Sequence, residues 1–283
     1  MSNPLVSICI PVYNNANTVV ETIESVFAQT YRNIELIIVE DASSDDSSSK
    51  IKEVLSTNNS GIEVVFEHND KNLGMAGNWN KCLNFCKGKY VKLLCADDKI
   101  APSLIEREVE ILEKYPNVVS VESDTAFVDV EGNIRGHYNR YRKSGVVSGK
   151  EVANKSLFYR DYFGAPLANT FRRDIATKCG GFNPEFNYII DYEFLLKIGL
   201  DGDVYIIHEP LNFFCLRGNS NTASVFKGEE GRRYINEHRM LVQSVADKLG
   251  YSKFQVELSV LIRRLMSFLG QWYLRLHMLG AKK

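Results

Sequence analysis

The sequence predicts an α/β domain: a mostly parallel sheet flanked by helices, with a C-terminal helical extension. Three observations carry this. Short apolar runs alternate with segments of helical period over roughly the first 130 residues. The runs are apolar throughout rather than alternating, as expected of strands covered on both faces. From Gly228 onward the pattern is helical to the end.

The elements follow in order. Leu5 to Pro11 reads as a buried strand. Asn17 or Thr18 is placed to cap a helix running to about Ala28, with Val19, Val20, Ile23, Val26 and Phe27 inward. Ile34 to Val39 is a second strand, and Ser43 to Ser49 a loop opening a helix with Ile51, Val54 and Leu55 inward. Ile62 to Phe66 is a third strand, Ala76 to Phe85 a helix and Tyr90 to Cys95 a fourth strand. Ser103 with Glu106 three residues on makes a capping box for a helix through Tyr115. Val118 to Val130 holds another strand, and Glu131 to Gly149 reads as a surface loop. In the second half, Phe171-Arg172-Arg173 precedes a short helix, Gly180-Gly181-Phe182 marks a tight turn, and Asp191 to Leu200 is helical. Val204 to Ile207 and Leu211 to Leu216 read as two strands, followed by a polar loop from Arg217 to Ser224.

The 283 residues provide enough material for a sizeable core. Lys plus Arg (34) nearly cancels Asp plus Glu (35), which argues against a general nucleic-acid binder. Cys9, Cys82, Cys86, Cys95, Cys179 and Cys215 form no C-x-x-C pair, so free thiols in a reducing compartment are expected. The uncharged start lacks a basic n-region and is broken by Pro4, Pro11 and several Asn, unlike a signal peptide. No stretch approaches an uncharged spanning helix, so a cytoplasmic protein is expected, soluble or peripheral on the inner face of a membrane.

Parallel sheets bind ligands at the carboxyl ends of their strands. Those ends carry Pro11-Val12-Tyr13-Asn14-Asn15, Glu40-Asp41-Ala42-Ser43-Ser44-Asp45, His68-Asn69 and Ala96-Asp97-Asp98. All should converge on one edge. The first turn has neither the G-x-G-x-x-G of a dinucleotide site nor a P-loop, which disfavours a plain Rossmann dehydrogenase or ATPase. Asp97 and Asp98 offer hard oxygens suited to Mg²⁺ or Mn²⁺; the plainer alternative is a solvated turn or helix cap. The histidines show no zinc-ligand spacing.

Taken together the motifs resemble those of family 2 glycosyltransferases of the GT-A fold. Pro11-Val12-Tyr13-Asn14 resembles their opening motif, and Glu40-Asp41-Ala42-Ser43-Ser44-Asp45 their Asp-Asp-Gly-Ser-x-Asp segment. Asn72-Leu73-Gly74 through Asn80 resembles their Asn-x-Gly…Asn element, and Cys95-Ala96-Asp97-Asp98 their Asp-x-Asp-Asp motif. Gly180-Gly181-Phe182 followed by Asp191 resembles their Gly-Gly-Phe…Glu-Asp stretch. Order and spacing agree over roughly residues 4 to 225.

The resemblance implies an inverting enzyme that moves a sugar from a nucleotide-diphosphate sugar, commonly a UDP-sugar, to an acceptor hydroxyl. It implies that Pro11, Tyr13 and Asn14 line the nucleotide pocket, that Asp41 accepts the base N–H, and that Asn72, Gly74 and Asn80 shape the same pocket. Asp97, with Asp98 beside it, would hold Mn²⁺ or Mg²⁺ on the diphosphate. Asp191 would be the general base; its alternative is a carboxylate merely favoured at a helix N-terminus. Arg217 would clamp the diphosphate or be a solvated loop arginine. The implied organisation is a GT-A domain over 1–225, with a nucleotide-binding half (1–100) and an acceptor half (101–225), then a helical region over 226–283. The acceptor would be a saccharide or a lipid-linked molecule, in bacterial surface polysaccharide or glycolipid synthesis.

This chain departs from the family pattern in places. Cys95 stands where the first Asp of Asp-x-Asp is usual, Glu40 where Asp is common, Ala42 where Gly is common, and Ile190 where Glu is usual. A thiol is a poor Mg²⁺ ligand. Two other classes remain open: a nucleotidyltransferase, and a non-catalytic binding protein on a GT-A fold. Trp79 is read as packing or as an acceptor contact, and the basic aromatic stretch Arg135 to Lys143 as a cover over phosphates or a solvated loop.

The tail has its own character. Lys253 to Lys283 carries a net charge of +5, which leaves −6 in Met1 to Ser252. Leu258, Leu261, Leu265, Phe268, Leu269, Trp272, Leu276 and Leu279 recur at helical spacing. The expectation is a helix packed on the domain or a partner subunit, giving a homo-oligomer, or one lying peripherally on anionic lipid.

Overall fold

The structure, a computed structural model, describes residues 3–139, 141–216 and 228–280, with side chains of the last helix through Leu269. The first half runs β1 (Val6–Val12), α1 (Val19–Phe27), β2 (Ile34–Glu40), α2 (Ser47–Ser56), β3 (Glu63–His68), α3 (Gly74–Phe85), β4 (Tyr90–Leu93), β5 (Lys99–Ile100) and α4 (Leu104–Lys114). It continues with β6 (Val118–Val128), β7 (Ile134–Tyr138), β8 (Gly145–Ser148), α5 (Gly149–Phe158), β9 (Asn169–Arg172), α6 (Arg173–Lys178), α7 (Ile190–Gly199) and β10 (Asp203–Cys215). Helices α8 (Gly228–Leu249) and α9 (Lys253–Gly280) close the described chain.

The sheet order is β3-β2-β1-β4-β9-β6-β10-β5. Strands β1, β2, β3 and β4 pair in parallel. Strand β9 lies antiparallel between β4 and β6, and β10 returns parallel to β6. Alternate residues of the central strands feed two apolar layers, one per face. Cys9, Ile37 and Val39 enter one layer with α3 and α7. Ile8, Ile10, Leu36 and Ile38 enter the other with α1 and α4. That two-sided burial is why these strands read as unbroken apolar runs.

Several local expectations are corrected. Neither Asn17 nor Thr18 caps α1 through its side chain; Thr18 instead donates to the Ala96 carbonyl at 2.9 Å, tying α1 to the loop after β4. The Ser103–Glu106 capping box does not form. Glu106 accepts from Thr30 at 2.8 Å, and the Gln29 side chain accepts the Ile105 N–H at 3.2 Å, so α4 is capped from outside its own sequence. The stretch Glu131 to Gly149 contains two strands, β7 paired to β6 and β8 paired to β10, rather than only loop. Val204 to Ile207 and Leu211 to Leu216 are one irregular strand, β10, whose register shifts around Pro210 absorb the break.

Lys92 lies in the middle of β4 and is fully buried. Its ammonium meets Glu108 of α4 at 3.2 Å, and Thr170 of β9 donates to the same carboxylate at 2.6 Å. Burial presses both charges toward their neutral forms, and each is opposed by the other. Helices α8 and α9 pack on the domain. Ser259 bridges His238 at 3.0 Å and the Leu157 carbonyl at 2.8 Å, and Arg263 donates to the Ser156 carbonyl at 2.6 Å. The opposite face of α9 exposes Phe254, Leu261, Leu265, Phe268 and Leu269. No described helix is long and apolar enough to cross a membrane.

Removing one partner of a buried pair strands the other charge. Lys92→Met should therefore lower unfolding stability by about 3–5 kcal/mol in urea titration, with much of the loss recovered in Lys92→Met/Glu108→Leu. Equal stability of the wild type and the single variant would show that the pair is not the constraint described.

Candidate active site

The carboxyl ends of β1, β2, β3 and β4 lie side by side, and the loops that follow hold one another by side chain to backbone bonds. Asn14 donates its N–H to Ser43 Oγ at 3.0 Å and accepts the Ser44 N–H at 2.9 Å. Asp45 accepts the Ala16 N–H at 3.0 Å and the Ser47 N–H at 3.0 Å. Burial raises the Asp45 pKa, but the bonds from Ser47 and Ala16 outweigh it and hold the carboxyl below its ordinary range. Asp45 is thus engaged at the start of α2, as a helix-start residue would be.

Asn14 and Ala42 are the described non-glycine residues with positive φ, at +55° and +53°. Asn tolerates this region; Ala pays a steric penalty of about 1 kcal/mol there. The left-handed turn explains why glycine would suit position 42. Pro11 is buried in β1 opposite Val39, whereas Tyr13 is half exposed at the strand end.

Asp41 is 2% exposed. Its Oδ1 accepts the Asn69 amide at 2.7 Å and the Leu73 N–H at 2.8 Å. Asn69 in turn donates to Asn78 at 3.1 Å and accepts from Lys81 at 2.6 Å, and Asn78 donates to the Val39 carbonyl. Asn72 donates to the Asp41 carbonyl at 3.3 Å and accepts the Gly74 N–H at 2.8 Å. Gly74 takes φ +72° with open space where a Cβ would stand. The sequence marks Asn69 only as a residue after a strand, and the helical spacing of Asn78 and Lys81 gives no sign that both meet the Asn69 amide that bonds Asp41.

Asn80 faces elsewhere. Its amide donates to the Phe182 carbonyl at 2.7 Å and accepts the Phe182 N–H at 2.8 Å, so it latches α3 to the Gly-Gly-Phe turn. Gly181 has φ +75°, and a Cβ there would come within 2.5 Å of Asn80 Oδ1. Trp79 stacks edge-on against Phe182 at 4.9 Å and is 9% exposed, which agrees with packing.

After β4, the ligand atoms of Cys95, Asp97 and Asp98 lie within 4.8 Å of one another. Asp98 is 2% exposed and accepts the Cys215 N–H at 3.2 Å. Burial raises the Cys95 thiol well above its usual pKa, and the carboxylates of Asp98, Asp97 and Asp191 raise it further. The thiol is therefore protonated, and the two carboxylates are the hard ligands of the trio. That donor set fits Mg²⁺ or Mn²⁺, which take one or two carboxylates with water and phosphate.

Asp191, in the first turn of α7, stands near enough for its charge to act on Cys95. Although part of Asp191 still meets solvent, protein atoms surround it closely. Burial pushes its pKa up to about 7, Asp161 adds to the rise, and the Tyr192 N–H opposes it. The Asp161 carbonyl accepts from Tyr138 at 3.1 Å, so the end of β7 also reaches this region. Of the basic stretch, Arg135 is engaged with Asp129 at 2.6 Å. Arg217, expected at the diphosphate, and Arg140 lie outside the described residues.

Comparisons with known proteins agree with this fold. The profile of "Glycosyl transferase family 2" matches residues 7–180. An uncharacterized glycosyltransferase of Haemophilus influenzae is 29% identical over 255 residues, 87% of this chain and 76% of its own length. Among solved structures, Staphylococcus aureus TarS 1–349 in complex with UDP-GlcNAc superposes with a TM-score of 0.69 at 15% identity, covering 85% of this chain and 66% of that one. The mannosyltransferase PcManGT of Pyrobaculum calidifontis, in complex with GDP-Man and Mn²⁺, gives 0.65 at 18% identity, covering 100% of this chain and 77% of that one. At such identities the structures establish the fold alone: a GT-A sheet flanked by helices.

The raised pKa of Asp191 has a signed consequence. The folded state holds this proton more tightly than an unfolded chain does, so stability is present below about pH 4 and is lost as pH rises through about 7. Asp191→Asn has nothing to ionise. Without metal it should be more stable than wild type near pH 8, by about 1–3 kcal/mol, and equal to it near pH 4. Thermal melts at the two pH values check this; a difference independent of pH would remove the desolvated carboxylate.

Proposed function

The chain belongs to glycosyl transferase family 2, and from that premise we propose that it transfers a sugar from a nucleotide-diphosphate sugar to an acceptor hydroxyl with inversion. The observation that carries this reading is the Cys95–Asp97–Asp98 cluster after β4, its ligand atoms within 4.8 Å of one another, with Asp191 in the first turn of α7. A carboxyl near pKa 7 is suited to take a proton at neutral pH.

In this reading the acceptor oxygen forms a bond to the anomeric carbon while the bond from that carbon to the diphosphate breaks. The hydroxyl proton passes to Asp191, and the bonding electrons leave with the diphosphate. Asp97 and Asp98 would hold Mn²⁺ or Mg²⁺, which supplies Lewis-acid stabilisation of the charge on the departing diphosphate. Cys95, protonated, adds no charge to that pair. Asp41 receives the nucleobase N–H, and its bonds from Asn69 and Leu73 hold it in place for that contact. Tyr13 and Asn14, together with the Asn72–Gly74 turn, line the nucleotide pocket. By resemblance to the family, Arg217 would contact the diphosphate.

UDP-sugar is the donor class put forward, by resemblance to the UDP and UDP-GlcNAc complexes of TarS. The GDP-Man complex of PcManGT makes a guanosine donor the alternative to test beside it. The division of labour we propose is nucleotide binding in residues 1–100, acceptor binding and the base in 101–225, and a helical region in 226–283. The acceptor we propose is a saccharide or lipid-linked molecule of a bacterial surface polysaccharide or glycolipid pathway, met at the cytoplasmic side. The exposed apolar face of α9 supports a contact surface there, for a membrane or a second subunit.

Asp191→Asn should abolish transfer while leaving UDP and Mn²⁺ binding within about twofold by calorimetry, because it removes only the proton acceptor. The wild-type rate should rise through about pH 7 and then level as Asp191 loses its proton. Undiminished turnover of the variant would refute the base assignment. Asp97→Ala should weaken UDP binding in the presence of Mn²⁺ by about tenfold or more, with little change when Mn²⁺ is left out. Equal affinity in both conditions would remove Asp97 from the metal site.

A further inference from the structure

We propose that Glu237 of α8 is a positioning residue for Asp191: its carboxylate clamps the backbone N–H groups of Asn187, Tyr188 and Ile189 and so sets where the start of α7 stands. This deepens the proposed function and rests on the reading of Asp191 as the base.

The clamp is read from hydrogen bonds. Glu237 Oε1 accepts the Asn187 N–H at 3.1 Å, while Oε2 accepts those of Tyr188 at 2.8 Å and Ile189 at 3.2 Å. The residue is 7% exposed. Bonds from N–H groups to an ionised acceptor are stronger than neutral ones, and three of them fix the path of three consecutive residues. That path leads directly into α7, with Asp191 two residues beyond the last clamped amide.

Helix α7 has no cap of its own. Its N-cap residue is Ile189, whose side chain carries no acceptor, and the first turn is closed by the Glu193 N–H on the Ile189 carbonyl at 2.8 Å. Among the described residues, the side chain bonded to the Tyr192 N–H is that of Asp191 itself. An outside acceptor is therefore what orients the entry to the helix, and α8 provides it. The support is fixed in turn. His238, adjacent to Glu237, is bonded to Ser259, and Lys248 at the far end of α8 reaches Asp201 at 2.6 Å. Glu237 meets backbone rather than reacting groups, so its effect on chemistry runs through Asp191.

Two variants of the full chain test this, Glu237→Gln and Glu237→Asp. Glutamine keeps the shape but turns one acceptor into a donor facing an N–H. In hydrogen exchange read by mass spectrometry, Glu237→Gln should speed exchange at residues 187–189 on the order of tenfold, with peptides from the central strands unchanged. With UDP-GlcNAc or GDP-mannose as donor and Mn²⁺ present, kcat should fall about ten- to a hundredfold while the donor KM stays within about twofold. Glu237→Asp, which keeps the carboxylate, should recover part of the kcat. If Glu237→Gln does not fold, Glu237→Asp carries both measurements against wild type, with smaller changes in the same directions.

Unchanged exchange at 187–189 would overturn the clamp. Faster exchange spread over the whole chain, or local loosening with kcat unaltered, would reduce Glu237 to a structural role and overturn the proposal. A wild type that consumes neither donor, together with local loosening in Glu237→Gln, would support the clamp and count against the proposed reaction.

Discussion

Loops that follow parallel strands carry backbone N–H groups that no strand can take, and every feature of this site depends on how those groups are satisfied. An unmet buried donor costs about 1–3 kcal/mol. Here each loop takes the donors of its neighbour. Ser43 and Ser47 receive the N–H groups of Asn14 and Asn15, Asp45 receives that of Ala16, and Asp41 receives that of Leu73. The bonds cross between the loops after β1, β2 and β3, so no loop can move without freeing a donor in another. One strained position, Ala42 with φ +53°, sits beside this lattice, where the neighbouring bonds hold a conformation the residue would not choose alone.

The same economy governs charge. Asp97, Asp98 and Asp191 act together on Cys95, and Asp161 acts on Asp191. Like charges confined in one cleft raise one another's proton affinity. A carboxylate at position 95 would have added a further negative charge to that group. A protonated thiol there leaves the local charge lower, and it concentrates the demand for a cation on two carboxylates. Desolvation by protein atoms acts first on Asp191, and a neighbouring acid reinforces it. Both effects favour a group that changes protonation near neutrality.

Much of the fold was legible because burial on both faces writes a strand as an unbroken apolar run, as in Ile34 to Val39. The strand-end rule then located Asp41, Asp97 and Asp98 on one edge. What was not legible depends on partners distant in sequence. Ser103 and Glu106 have the spacing of a capping box, yet Gln29 and Thr30 from the segment after α1 compete for the same groups. Lys92 looks out of place among Val91, Leu93 and Leu94 until Glu108 and Thr170 are brought to it. Residues Ile134 to Tyr138 are exposed or half-buried and lack the apolar signal, so a strand added at the surface read as loop. Asn80 belongs to the right motif, but only the folded chain reveals that its amide meets the Phe182 backbone.

Glu237 belongs to the same logic as the loop lattice, carried into the other half of the domain. In that lattice the holding side chains come from the loop after a neighbouring strand, as Ser43 does for Asn14 and Asp41 for Leu73. At the entry to α7, the holding carboxylate comes from a helix that begins after β10 has closed the sheet. Helices α8 and α9 therefore do more than cover an apolar face. His238 with Ser259 ties α8 to α9, while Ser259 with the Leu157 carbonyl, Arg263 with the Ser156 carbonyl and Lys248 with Asp201 fasten them to α5 and to the turn after α7. The apolar layer beneath α7 includes Leu241, Val242 and Val245 of α8 and Val256 of α9. A helix that supplies both the packing under α7 and the acceptor for its entry fixes position and direction together. Packing alone would leave the entry free to rotate about the helix axis. The charged clamp removes that freedom, so the helical extension is part of the site's geometry rather than an appendage to it.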